Sequence, residues 1–391
     1  MILLLKNYSW KNYLKKYPLY DYFPRLKEAL AQVTLGDFPT PVEHLDRFGV
    51  IVGAKNIYIK RDDLSGMLDQ RCNKKLFGGS KIRKLEFILG DALTHNAKTV
   101  VTLGSAGSNH AVATAVCAQL VGLRSISMLK PQPNAYNVRR NLKLMHHYGS
   151  QIRMFSDKTM REKAVTQLFV DNKKISADNQ DALYFIPTGG SCPLGSIGYV
   201  NAAFELKEQI DHGLMPKPDY MYVAAGSLGT AIGLMLGMRA AQLDITIVLI
   251  TVEPYDRQEL NQNFTQLFNT TNALLNNFDD TFPLFEIDPT TIHIVDSMAG
   301  SEYGLFTYEA QQMIHLLYDS HRIILDGTYT GKACAGMMHD IKMRGLQDSI
   351  ILFWNTFCGQ DFSDSTSAID YKSLPSSVHQ YFEDDVQEFD Q

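Results

Sequence analysis

From residue 99 to residue 354 the chain repeats one pattern. A short apolar run rich in β-formers is followed by a small polar loop and then by a helix-compatible run. Thr99-Val100-Val101-Thr102-Leu103 leads into Gly104-Ser105-Ala106-Gly107-Ser108-Asn109-His110, and a small-residue stretch follows at 111–120. Tyr220-Met221-Tyr222-Val223-Ala224-Ala225 runs straight into Gly226-Ser227-Leu228-Gly229-Thr230, with a second small-residue stretch to 241. Further strands are expected at 124–129, 151–155, 184–187, 245–252 and 349–354, and helices at 137–148, from 199, at 308–318 and at 332–344. Such alternation implies right-handed βαβ units, and therefore an α/β fold with open, mostly parallel sheets flanked by helices. In such sheets ligands bind at the carboxyl ends of the strands, which is where these polar loops lie.

The chain has 391 residues, 45% of them hydrophobic. That suffices for two domains or one large α/β unit with a sizeable core. Its net charge is −5, and no basic stripe offers itself to nucleic acid. The five cysteines are Cys72, Cys117, Cys192, Cys334 and Cys358, and none forms a C-x-x-C pair. Neither a disulfide framework nor a metal site is expected, and a reducing cytoplasm fits best. The start, Met1 to Lys6, lacks the apolar length of a secretory leader, and no uncharged apolar run is long enough to cross a membrane. Trp10, Tyr13 and Tyr17 recur at helical spacing, as expected of an extension packed on the body. The sequence is acidic and serine-rich from residue 360, which reads as a mobile or loosely docked end.

The stretch Phe77-Gly78-Gly79-Ser80-Lys81-Ile82-Arg83-Lys84-Leu85-Glu86-Phe87 organises the expected site. Two glycines end a loop, Ser80 is positioned to cap a helix over 81–93, and the first-turn N–H groups of that helix suit an anion. Lys81, Arg83 and Lys84 can equally be a solvated basic face. The loop 226–230 has glycines that admit a close ligand and the hydroxyls of Ser227 and Thr230, although a tight turn with no ligand needs the same residues. Ser108 and Asn109 suit a helix N-cap or a carboxylate. Tyr303, between glycines, is free to face a cavity.

Taken together and in order, Gly78 to Glu86, Ser108-Asn109-His110, the loop 226–230, Glu302-Tyr303-Gly304 and Asp326-Gly327-Thr328-Tyr329-Thr330-Gly331-Lys332 resemble the pyridoxal-phosphate enzymes of the 1-aminocyclopropane-1-carboxylate deaminase and D-cysteine desulfhydrase family, of tryptophan-synthase-β-like fold. The likeness runs from about residue 34 to about residue 359. It implies pyridoxal 5′-phosphate held by Lys81 as an imine, with Lys84 reaching the phosphate. Gly226, Ser227, Leu228, Gly229 and Thr230 would cradle that phosphate, and Asn109 would lie beside the ring hydroxyl. Thr330 would stand by the ring nitrogen, and Ser108, Asn109 and His110 at the substrate. Ser108, Tyr303 and Tyr329 would serve catalysis with Lys81. The resemblance also implies a homodimer, no metal, an N-terminal extension at 1–35, a large cofactor-binding domain from 36–82 plus 200–360, a small domain at 83–199 and an acidic tail at 361–391.

Several residues depart from the deaminase pattern. Thr330 stands where the deaminases carry glutamate, and His110 where they tend to carry glutamine. A hydroxyl beside the ring nitrogen favours a less protonated ring than a carboxylate does. Both changes point to β-elimination of D-cysteine to pyruvate, sulfide and ammonia, with ring-opening deamination of the cyclopropane amino acid as the alternative. Ser80, Gly107 and Asn355-Thr356-Phe357-Cys358-Gly359 also depart from the family, which keeps open a cofactor-binding protein without catalysis. A nucleotide-binding α/β protein is disfavoured, because no G-x-G-x-x-G loop with a spaced acidic residue is present.

Overall fold

The computed structural model describes residues 14, 16–69, 73–175 and 182–390. Trp10, Tyr13 and Cys72 lie outside them. In chain order the helices are α1 (Leu19–Tyr22), α2 (Arg25–Ala29), α3 (Asp46–Val52), α4 (Lys81–Thr94), α5 (Asn109–Leu120), α6 (Tyr136–His147), α7 (Lys158–Ile175), α8 (Pro193–Asp211), α9 (Gly229–Ala240), α10 (Arg257–Phe278), α11 (Tyr308–His321), α12 (Thr330–Arg344), α13 (Ser363–Thr366) and α14 (Gln380–Glu383). The strands are β1 (Val42–His44), β2 (Ile57–Arg61), β3 (Leu68–Asp69), β4 (Lys74–Lys75), β5 (Thr99–Ser105), β6 (Arg124–Lys130), β7 (Gln151–Met154), β8 (Leu183–Ile186), β9 (Tyr220–Ala225), β10 (Thr246–Thr251), β11 (His293–Val295) and β12 (Ile351–Asn355).

Two open sheets result. The larger has the order β1-β2-β12-β9-β10-β11 and is parallel except for β1, and the smaller, β7-β6-β5-β8, is wholly parallel. β5 is buried along its whole length, as a central parallel strand covered on both faces must be. This is the α/β class expected from the alternation. The elements not anticipated are short or weakly patterned: β11, the β3–β4 hairpin within the loop at 67–76, α3, and α7, whose apolar contribution is a thin set at Val165, Leu168 and Phe169.

The segment 258–288 is rich in asparagine, yet it is not wholly superficial. α10 buries Phe264, Phe268, Thr271, Asn272 and Leu275. The acidic tail, expected to be mobile or loosely docked, is docked through buried side chains. Phe362, Leu374, Val378 and Tyr381 are buried, and Phe362 stacks on Phe77 at a centroid distance of 5.7 Å. These apolar anchors are spaced through a polar run, so composition alone conceals them.

α4 is pinned from behind by a buried ionic cluster. The Arg83 guanidinium donates to both Asp62 oxygens at 2.8–3.1 Å and to both Glu205 oxygens at 2.8 and 2.9 Å. Lys60 donates to Glu205 at 2.5 Å and to Gln209 at 2.6 Å, while Tyr199 and Trp354 donate to Asp62 at 2.9 and 2.8 Å. One turn on, Glu86 accepts from the backbone N–H groups of Leu35 and Gly36 and from the Tyr17 hydroxyl at 2.9–3.1 Å. Buried charges persist only when paired in this way.

Candidate active site

The carboxyl ends of β5, β6, β9 and β10 open onto a cavity of about 580 Å³. Lys81, Lys84, Ser108, Asn109, His110, Gly226, Ser227, Leu228, Thr230, Tyr303 and Tyr329 all line it. Residues far apart in sequence are brought together, while two of the candidates lie behind the wall. Gly229 is the buried first residue of α9. Thr330 is buried, and its hydroxyl donates to the Asp326 carboxylate at 2.7 Å while accepting from the Asp326 N–H at 2.9 Å. The hydroxyl expected beside a ring nitrogen is therefore engaged with Asp326, whose side chain is the one that lines the cavity.

Lys81 begins α4. Its amine donates to the Ser80 hydroxyl at 2.9 Å. Ser80 occupies the N-cap position but makes no capping bond through its side chain, a correction to the expected cap. Desolvation lowers the Lys81 pKa to about 8, and the Asp326 carboxylate opposes that shift. An amine so placed is largely neutral in mildly alkaline solution and can act as a nucleophile.

Lys84 lies one turn further along the same face. Its amine donates to the Gly189 carbonyl at 3.1 Å and to the Ser191 hydroxyl at 3.2 Å. It is buried, and no carboxylate pairs with it among the described residues. Burial and then repulsion from Lys81 push its pKa well down. Next to it stands the loop 226–230. A Cβ on Gly229 would sit 3.0 Å from the Lys84 amine and 2.7 Å from the Ser191 hydroxyl, and a Cβ on Gly189 would sit 2.1 Å from the Ser227 hydroxyl. Leu228, at the N-cap of α9, has φ +67°, a left-handed value uncommon for a branched residue and characteristic of a loop turned toward a ligand. A helix N-terminus, two hydroxyls and an amine that a bound anion would hold protonated form a receptor for a dianion.

The opposite wall comes from α5. Ser108 caps that helix by accepting from the Ala111 N–H at 3.1 Å, so its own proton remains available to a ligand. The Asn109 oxygen accepts from the Asn141 amide at 2.9 Å, which leaves the Asn109 N–H groups as the donors it can turn to a ring oxygen. His110 is buried with no hydrogen-bond partner at either ring nitrogen. Desolvation, with Lys81 and Lys84 behind it, holds its pKa well below the usual value and the ring neutral. An orphaned buried polar atom costs about 1–3 kcal/mol, so His110 marks a place where a ligand completes the wall. Thr251, at the end of β10, also lines the cavity with an unpartnered hydroxyl.

Tyr303 and Tyr329 meet across the cavity with their hydroxyls 2.6 Å apart. Burial raises both pKa values above the ordinary tyrosine range, so both stay protonated at neutral pH. The Lys81 amine lies 6.0 Å from the centre of the Tyr329 ring. Sequence reasoning did not single out Ser191, Asp326 or Arg161. Ser191 links the Lys84 amine to the Ser227 hydroxyl at 2.8 Å. Asp326 holds the first turn of α12 by accepting from the Tyr329 and Thr330 N–H groups at 3.2 and 2.8 Å. Arg161 is buried and donates to the Gly104 carbonyl at 2.9 Å. The signal for Ser191 was present, since Thr188-Gly189-Gly190-Ser191 follows a strand as the other loops do.

The wall fits pyridoxal phosphate: a nucleophilic amine, a dianion receptor with a second buried amine, a donor for a ring oxygen and an unsatisfied imidazole. The comparisons agree. A family model described as pyridoxal-phosphate dependent enzyme matches residues 33–356. A protein of Pyrococcus horikoshii named "Putative 1-aminocyclopropane-1-carboxylate deaminase" is 34% identical over 338 residues, covering 85% of this chain and 94% of that protein. A Pyrococcus furiosus protein of the same name is 31% identical, with the same coverage. A crystal structure described as an ACC deaminase homologue superposes with a TM-score of 0.71 at 32% identity, over 90% of this chain and 97% of that one. A threonine deaminase from Solanum lycopersicum, at 16% identity and a TM-score of 0.56 over 93% of this chain and 87% of that one, shares the fold.

Proposed function

The chain belongs to the pyridoxal-phosphate dependent enzymes, among homologues of 1-aminocyclopropane-1-carboxylate deaminase, and from that premise we propose that it eliminates the β-substituent of a small amino acid, with D-cysteine as the substrate. The observation that supports this place for the cofactor is Lys84, a buried amine with no carboxylate partner among the described residues, beside the glycine loop 226–230. In this reading Lys84, Ser227 and the α9 N-terminus hold the phosphate, Asn109 the ring oxygen and Lys81 the aldehyde carbon. Bound there, the group withdraws electrons from the substrate Cα.

The chain's own side chains do the rest. Ser108, its hydroxyl proton free, orients the substrate carboxylate. Lys81 would take the Cα proton as a neutral base, for which a pKa of about 8 suits it. The tyrosine hydroxyls supply a proton to the departing sulfur, so the C–S bond breaks with its electron pair on sulfur. The net reaction is D-cysteine plus water to pyruvate, sulfide and ammonia. What supports β-elimination over cyclopropane opening is the absence of a glutamate at position 330, where a threonine hydroxyl is tied to Asp326.

A second reading, ring-opening deamination of 1-aminocyclopropane-1-carboxylate to 2-oxobutanoate and ammonia, is favoured by the names of the two Pyrococcus relatives. Steady-state assays of sulfide and pyruvate from D- and L-cysteine, alongside 2-oxobutanoate from the cyclopropane amino acid, separate the two. Sulfide from D-cysteine at the higher kcat/KM is the expected result, and 2-oxobutanoate as the dominant product overturns it. The N-terminal segment, the cofactor-binding unit at 36–82 plus 200–360, the small unit at 83–199 and a homodimeric assembly remain part of the same proposal.

A further inference from the structure

The C-terminal tail runs beyond residue 356, where the family match ends, yet it reaches the candidate active site. Tyr381 accepts from the Arg139 Nε–H and an Asn134 amide proton through its carbonyl, at 2.7 and 3.0 Å, and from the Gln132 N–H at 3.2 Å through its hydroxyl. The tail's Gln387 N–H then donates to the Asn134 carbonyl at 3.0 Å. From this anchored position the Gln387 side chain spans to the loop that carries Tyr303. Its Oε1 accepts from the Phe306 N–H at 2.6 Å, and its Nε2 donates to the Gly304 carbonyl at 3.0 Å.

That loop has little support of its own. The bond closing its turn, from the Leu305 N–H to the Glu302 carbonyl, is 3.4 Å long. Gly304 adopts φ +86°, and a Cβ there would sit 3.2 Å from the Gln132 amide nitrogen. The turn is therefore pressed against Gln132, whose Oε1 accepts from the Gly107 N–H at 3.0 Å on the loop leading to Ser108. This two-bond grip holds Gly304 and Phe306, one and three residues after Tyr303.

We propose that Gln387 is a positioning residue for Tyr303, so that the C-terminal tail completes the hydroxyl pair from outside the cavity. This rests on the reading of Tyr303 as a participant in the reaction. Chemistry responds to sub-ångström displacement of such groups, whereas ground-state binding by the loop 226–230 and by Ser108 is left intact.

The test uses the full chain loaded with pyridoxal phosphate. Hydrogen–deuterium exchange of Gln387→Leu is expected to accelerate at peptides covering 302–307 and to remain at wild-type levels around 81–94 and 226–230. Unchanged exchange at 302–307 overturns the proposal whatever the substrate is. With D-cysteine or the cyclopropane amino acid, whichever turns over, kcat is expected to fall five- to twentyfold with KM altered less than twofold. In a Tyr303→Phe background the same substitution is expected to cost less than twofold, because its partner is gone. An equal loss in both backgrounds shows that Gln387 does not act through Tyr303 and overturns the proposal, leaving the reaction assignment standing. Absence of turnover with either substrate sinks that assignment instead, and the exchange result then decides the positioning role alone.

Discussion

The hydroxyls of Tyr303 and Tyr329 lie 2.6 Å apart although the residues come from separate loops, one before α11 and one at the start of α12. Both remain protonated at neutral pH, so one proton lies between the oxygens and the other points outward. Removing either oxygen breaks this arrangement. Tyr303→Phe and Tyr329→Phe are each expected to lower kcat by about 10²-fold, in the range of proton-transfer catalysis, with little change in KM. The double variant is expected to lose far less than the product of the two, as residues acting as a unit do.

In the proposed reaction Lys81 would hold the coenzyme. Lys81→Ala is expected to abolish the visible absorption band of lysine-bound coenzyme along with turnover. In the wild type the neutral amine is the reactive form, and its pKa is lowered from 10.5 to about 8. At pH 7 only about one amine in ten is neutral. The rate at which apoprotein captures pyridoxal phosphate should therefore rise with pH and level off above about 8, as stopped-flow absorbance can show. A profile still climbing steeply at pH 10 would mean an ordinary, solvated lysine.

A side chain at Gly229 would crowd the phosphate receptor. Gly229→Ala places a methyl group 2.7 Å from the Ser191 hydroxyl and 3.0 Å from the Lys84 amine. The two donors are expected to move away from the anion, weakening coenzyme affinity by tenfold or more, about 1.4 kcal/mol. Absorbance titration of the apoprotein measures this directly.

The ionic cluster behind α4 sets part of the acid stability. Burial by itself raises the Glu205 pKa, but Arg83 and Lys60 outweigh that effect and lower it from 4.5 to about 2. The folded-state value lies below the unfolded one. The resulting stabilisation is present above pH 4.5 and is lost as the pH falls toward 2. Glu205→Gln is expected to destabilise the protein by about 3–5 kcal/mol at neutral pH, the cost of stranding buried cations, and to flatten this acid limb. Denaturant unfolding as a function of pH reads both effects.

The parallel sheets and their glycine loops were readable because each strand, loop and helix carries its own local signature. Of the thirteen site residues that the ordered motifs named, eleven line the cavity. Other features depend on packing that local sequence does not encode. Thr330 looked like a ring-facing hydroxyl, yet Asp326, four residues earlier, claims it from within the first turn of α12. Ser80 looked like a cap, yet its oxygen accepts from the Lys81 amine instead. The tail looked detachable because its charge and serine content swamp four apolar anchors, and its contact with the Tyr303 loop rests on one amide side chain.

On α4, Lys81 and Lys84 share one face, while Arg83 and Glu86 share another that is locked to Asp62, Glu205 and the N-terminal segment. The helix thus works like a keyed axle, with the hidden teeth setting the angle at which the cavity-facing ones are presented. Inserting or deleting one residue within α4 between Lys81 and Arg83 would turn Lys81 by about 100° relative to the locked side chains. Evolution of new chemistry on this scaffold is thereby channelled away from the lysines' spacing and into the surrounding loops.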